Sequence, residues 1–113
     1  MDESLIKNLS TELRRGTQTL GVLSQLDKMQ YGYSLLQDLV DKKVDIEAGT
    51  LYPLLRRLES QGLLVSEWDT SESRPRKYYL LSEEGKEIFS ALKNEWQKIV
   101  RDMAVLLEGD LKQ

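Results

Sequence analysis

Residues 47–81 read EAGTLYPLLRRLESQGLLVSEWDTSESRPRKYYLL, and this stretch decides the fold. Leu51, Leu54, Leu55 and Leu58 recur at helical spacing, which predicts a helix from about Glu47 to Gln61 with one buried stripe. Gly62 follows it, the residue type that takes the left-handed conformation just past a helix end, with Leu63 placed to pack back on Leu58. Pro53 cannot donate to the carbonyl of Gly49, so Glu47–Pro53 is expected to be an irregular entrance to this helix. Beyond it, Leu63–Trp68 and Arg76–Leu81 are short, carry β-branched or aromatic residues, and flank the polar Thr70–Arg76 segment. Together they predict an antiparallel hairpin.

Working outward, Leu5, Leu9, Leu13, Leu20, Leu23 and Leu26 are spaced mostly by three, four or seven residues, the period of a helix. Gly16 interrupts that pattern and predicts a break between an N-terminal arm and a main helix, with Ser10 or Thr11 as its cap. A second helix is expected over about Tyr31–Lys43, its apolar face built from Leu35, Leu36, Leu39 and Val40; Gly32 would let its start approach another backbone closely. After the hairpin, Ser82 is a capping residue, and Glu83 and Glu84 suit the positive end of a last helix reaching about Leu107. In that helix Phe89, Leu92, Trp96, Ile99, Met103 and Leu106 are separated by 3, 4, 3, 4 and 3 residues, an a/d heptad seam. A helix of about 25 residues is about 37 Å long, more than a small domain can cover, so the seam is expected to meet another chain. The parts make an α+β, mostly α fold: a winged helix-turn-helix of three helices and a two-stranded wing, with a long C-terminal dimerisation helix. The expected division is residues 1–81 for the winged helix-turn-helix, with 1–15 an N-terminal arm available to a dimer interface, and residues 82–113 for the dimerisation helix.

Composition narrows the function. A chain of 113 residues allows one small domain with an appended element. It has no cysteine and no histidine, which removes thiolate chemistry, disulfides, the commonest general base and the usual transition-metal ligands. The carboxylates are scattered, no Gly-rich phosphate loop occurs, and neither a catalytic site, a metal nor a cofactor is expected. The longest apolar run, Met103–Leu107, is far too short for a bilayer, and the acidic start Met1–Ser4 predicts no secretory signal, hence a cytoplasmic protein.

Net charge is −3, and residues 47–81 balance five basic groups (Arg56, Arg57, Arg74, Arg76, Lys77) against five acids (Glu47, Glu59, Glu67, Asp69, Glu72). Global charge therefore gives no support to nucleic-acid binding, but distribution does. Arg56 and Arg57 fall on or beside the face opposite the leucine stripe, Thr50 and Tyr52 sit where a helix entrance meets phosphate oxygens, and Arg74, Arg76 and Lys77 cluster in the hairpin. Tyr31 and Tyr33 can serve phosphate or core. Tyr78 and Tyr79 alternate, so one faces inward. Two symmetry-related Trp96 indoles would flank a flat apolar slot suited to a planar hydrophobic effector, with Met103 as a deformable wall; plain packing is the simpler role.

These residues resemble the PadR family of transcriptional regulators. The resemblance lies in Tyr31-Gly32-Tyr33, in Glu47-Ala48-Gly49-Thr50-Leu51-Tyr52-Pro53-Leu54-Leu55-Arg56-Arg57-Leu58-Glu59 with Gly62-Leu63, and in Arg76-Lys77-Tyr78-Tyr79-Leu80-Leu81-Ser82 with Gly85. With one C-terminal helix, the chain is similar to the short subfamily. The resemblance implies a homodimeric repressor of double-stranded operator DNA whose third helix enters the major groove. It implies DNA contacts from Tyr31, Thr50, Tyr52, Arg56, Arg76 and Lys77, and an aromatic at Trp96 lining an effector channel between subunits. The acidic wing neighbours Glu67, Asp69 and Glu72 depart from the more basic members. A winged-helix module that binds protein and not DNA is the competing expectation.

Overall fold

The computed structural model describes residues 2–108. The elements run α1 (Glu3–Ser24), β1 (Gln30–Tyr31), α2 (Gly32–Asp41), α3 (Ala48–Ser60), β2 (Leu64–Asp69), β3 (Arg76–Leu81) and α4 (Glu83–Glu108). The core is mainly leucine: Leu23 and Leu26 from α1 and the turn after it, Leu35 and Leu39 from α2, and Leu51, Leu55 and Leu58 from α3 are all but inaccessible. Leu64, Tyr79 and Leu81 close it from the sheet. Burying each such side chain stabilises the fold by about 1.5–3 kcal/mol before conformational entropy is counted.

α1 runs unbroken through Gly16 and is capped by the Asp2 carboxylate, which accepts from the Leu5 N–H at 3.0 Å. The expected break is absent because one glycine costs about 1 kcal/mol, too little to interrupt a long helix. Thr11 turns its hydroxyl back onto the Lys7 carbonyl and caps nothing. α3 is likewise regular from its first residue, with the Leu51 N–H already donating to Glu47 O at 2.9 Å. Pro53 leaves only the Gly49 carbonyl without an intrahelical donor, and both residues are exposed, so that carbonyl is not buried unpaired. The irregular entrance read from the proline does not form.

The helix ends follow local chemistry. Gly62 adopts φ +82°, Leu63 N donates to Leu58 O at 3.0 Å and Gly62 N to Glu59 O at 2.9 Å, a complete Schellman motif. α2 ends the same way around Lys43 at φ 68°, with Val44 N bonded to Leu39 O at 2.8 Å.

The sheet has three antiparallel strands in the order β1-β3-β2. β1 was not expected: its second residue takes the start of the helix predicted from Tyr31, and the strand pairs Gln30 with Tyr79 and Tyr31 with Tyr78. In the wing, Leu64 pairs with Leu81 and Asp69 with Arg76. Tyr79 is the inward tyrosine, 6% exposed.

α4 starts where the wing ends. The Ser82 hydroxyl accepts from Gly85 N at 2.9 Å and donates to Gly62 O at 2.7 Å, while Ser82 N donates to Leu63 O at 3.0 Å. This joint ties the last helix to the turn after α3. From there α4 leaves the core, and only Phe89 of its seam packs against the buried cluster.

Candidate nucleic-acid interface

The start of α2, the entrance of α3 and the wing meet around a cleft of about 720 Å³, bordered by Tyr31, Tyr52, Arg74, Arg76 and Lys77. Gly32 makes the convergence possible. A Cβ there would lie 2.5 Å from Cε1 of Tyr52, so the neighbour that needs the glycine is an α3 side chain and not, as expected, a backbone.

The strand alternation of β3 sorts its side chains. On one face Tyr78 stacks on Tyr31 with ring centroids 4.1 Å apart, and the Arg76 guanidinium lies 5.1 Å from the Tyr31 ring centre. The Tyr78 hydroxyl donates to that of Tyr31 at 2.6 Å, and Tyr31 donates to Asp69 Oδ2 at 3.0 Å. Asp69 also accepts from Ser71 N at 3.0 Å. The hydrogen bond with Tyr78, then burial, push the Tyr31 phenol up to about 12, while bonds from Ser71 and then Tyr31 hold the Asp69 carboxyl at about 2. The Tyr31 hydroxyl is thus occupied within the chain, and its ring is the surface it offers.

On the other face, Lys77 Nζ pairs with Glu59 Oε1 at 3.0 Å, and the Ser66 hydroxyl donates to Glu59 Oε2. Arg76 pairs with Glu72 at 3.0 Å in a more exposed contact. Arg56, Arg57 and Arg74 form no ion pair among the described residues, and both α3 arginines are exposed beside Thr50. Of the residues expected at the interface, the structure brings Tyr31, Tyr52, Arg76 and Lys77 to one cleft and sets Thr50 and Arg56 on the exposed side of α3. Sequence reasoning missed Asp69, Ser66 and Glu59 as organisers, since their partners lie 7 to 38 residues away.

A second surface shares no residue with this cleft. α1 and α4 flank an open groove of about 790 Å³, lined by Leu13, Leu20, Leu92, Trp96, Ile99 and Met103. Trp96 and Met103 are each 40% exposed, and Leu5, Leu9, Leu13 and Leu106 more than half exposed. No helix among the described residues is long and apolar enough to cross a membrane, and no group of metal-ligating side chains occurs among them.

Comparison with known proteins agrees with this architecture. A crystal structure of a PadR family transcriptional regulator from Eggerthella lenta DSM 2243 is 47% identical, covers 94% of this chain and 95% of its own, and superimposes with a TM-score of 0.87. A PadR-like transcription factor from Bacteroides fragilis is 31% identical, covers 88% of this chain and 98% of its own, with a TM-score of 0.75. Transcriptional regulator Rv3488 of Mycobacterium tuberculosis is 31% identical over 93 residues, 81% of this chain and 87% of that protein. Residues 20–91, from the end of α1 to the first turns of α4, match the transcriptional regulator PadR-like family. The winged-helix head, its aromatic and basic cleft and these matches together make the chain a member of the PadR-like family of DNA-binding transcriptional regulators.

Proposed function

We propose that the protein is a homodimeric, sequence-specific repressor of operator DNA. Residues 1–81 act as the reading head, and the expected dimerisation segment 82–113, through α4 and with the exposed stripe of α1, joins two copies; Met1 and residues 109–113 of these spans lie outside the described residues. The observation that carries the DNA-binding part is the convergence of Tyr52, Arg74 and Arg76 at one cleft next to the exposed Arg56 and Arg57 of α3. In this reading α3 lies in the major groove with Thr50, Tyr52 and Arg56 toward the duplex. Arg76, backed by the Tyr31 ring, takes a phosphate at the cost of its weak surface pair with Glu72. The dimeric part is supported by Leu92, Trp96, Ile99 and Met103, which leave an apolar seam open along α4. Two-fold symmetry would present paired recognition helices to half-sites about 10 bp apart. The direction of control, repression, rests on the family resemblance.

The same groove would admit a planar hydrophobic effector between two Trp96 side chains, acting through unequal affinity for two dimer geometries. In a Trp68→Phe background, planar aromatic compounds are expected to quench Trp96 emission, and unchanged emission would remove the effector from the proposal.

The deciding experiment is a gel shift against the promoter regions flanking the gene, followed by titration at several salt concentrations. Wild type is expected to bind one such duplex, with Arg76→Ala flattening log K against log[salt] by about one unit. Absence of any retarded species would favour a winged-helix module that binds protein instead.

A further inference from the structure

We infer that Glu59, Ser66 and Lys77 form a brace fixing the angle between recognition helix and wing, so that Lys77 is a positioning residue and not a phosphate contact. For its effect on DNA this rests on the reading above; the brace itself is independent of it. One carboxylate joins three elements. Glu59, in the last turn of α3, receives the ammonium of Lys77 from β3 on Oε1 at 3.0 Å and the hydroxyl of Ser66 from β2 on Oε2. The two charged side chains are 28% and 30% exposed, whereas the other ion pairs among the described residues are half exposed or more. Two aromatic rings stand near the same ammonium, with Lys77 Nζ 5.3 Å from the Tyr79 ring centre and 5.9 Å from that of Trp68. To meet a phosphate, this ammonium would have to abandon a hydrogen-bonded carboxylate and two ring faces together. Sheltered pairs are also less screened by salt than exposed ones. The Glu59 carboxyl is held low by Ser66 and then Lys77, and the Lys77 ammonium is held high by Glu59, so the pair stays charged at neutral pH.

The two roles for Lys77 predict opposite results for a variant that leaves Lys77 intact. If Lys77 contacts phosphate, Glu59→Gln spares it the competing carboxylate, so binding tightens with the same number of phosphate contacts. If it braces the wing, Glu59→Gln loosens the head and weakens binding by about three- to tenfold with the salt slope unchanged. Lys77→Gln should then match Glu59→Gln in affinity and slope, and the double variant should be no weaker than either single one. A phosphate contact would instead cost about one unit of slope in Lys77→Gln.

A readout without DNA accompanies these titrations. In a Trp96→Phe background, Trp68 emission should shift in both Glu59→Gln and Lys77→Gln and return toward wild type in the charge-exchanged pair Glu59→Lys, Lys77→Glu. Far-ultraviolet circular dichroism confirms that each variant is folded. Tighter binding in Glu59→Gln, or a flattened slope in Lys77→Gln, overturns the assignment. If wild type bound no duplex, the DNA reading would fall, and unchanged Trp68 emission in both variants would overturn the brace as well.

Discussion

Gly85→Ala tests the joint between head and tail. Gly85 is the third residue of α4 and is buried. A Cβ at this position would stand 2.0 Å from the Leu63 carbonyl oxygen, 3.0 Å from its carbon and 3.2 Å from Leu81 Cδ2. The obstacle is backbone, and the same oxygen already accepts from Ser82 N at 3.0 Å, so relief requires α4 to move off the turn after α3. Overpacking of this kind costs about 1–3 kcal/mol. Losing the Ser82 N bond and the Ser82 cap of Gly85 adds about 1 kcal/mol each, and the better helix propensity of alanine returns about 1 kcal/mol. The net loss is about 2–4 kcal/mol, a drop in Tm of about 10 °C or more for a chain of this size. Thermal melts by circular dichroism at one fixed protein concentration, needed because association shifts Tm, measure it directly. Gly16→Ala is the control: a Cβ there meets nothing within 4 Å, so stability should rise by about 0.5–1 kcal/mol. A Gly85→Ala melt at or above wild type would refute the reasoning.

Three further outcomes are expected. Lys43→Gly should stabilise the fold by about 1 kcal/mol, because Lys43 holds φ 68° at the end of α2, a conformation that costs a side-chain-bearing residue; a lower urea midpoint would contradict this. The Tyr31 phenol, raised from 10.0 to about 12, should ionise in a late step of absorbance at 295 nm that disappears in Tyr31→Phe. Since the folded state holds that proton more tightly, this contribution to stability is complete below pH 10 and is lost as pH rises through about 12. Met103→Asp should shift the sedimenting species from dimer to monomer at micromolar concentration, and a dimer unchanged in that variant would exclude the α4 seam as the interface.

The sequence was most informative where structure is set locally. Gly62 closes α3 onto Leu58 and Glu59, Ser82 caps Gly85, and the leucine stripe shows its helical period within α3 itself, so each could be read from a few neighbouring residues. Gly16 and Pro53 gave no break because both are exposed and each costs its helix too little, one glycine's propensity or one carbonyl bond, to interrupt it. β1 left no pattern, since two residues cannot show a period; it exists because Tyr31 meets Tyr78 across 47 positions of chain. The candidate interface divides in the same way. Its basic residues were visible as types and positions, but which of them remain unpaired depends on Glu59 and Glu72, and only the folded head and wing set Lys77 and Arg76 against those carboxylates.

The three hydrogen bonds at Ser82 make the last helix a stiff lever welded to the reading head. With 26 residues it is about 39 Å long. In a two-fold assembly, a tilt of about 5° between partner levers, pivoting at the far tip, would carry each head by about 3 Å, about a tenth of the duplex pitch. Small repacking at a remote apolar slot would then be felt by the grooves as a change of phase.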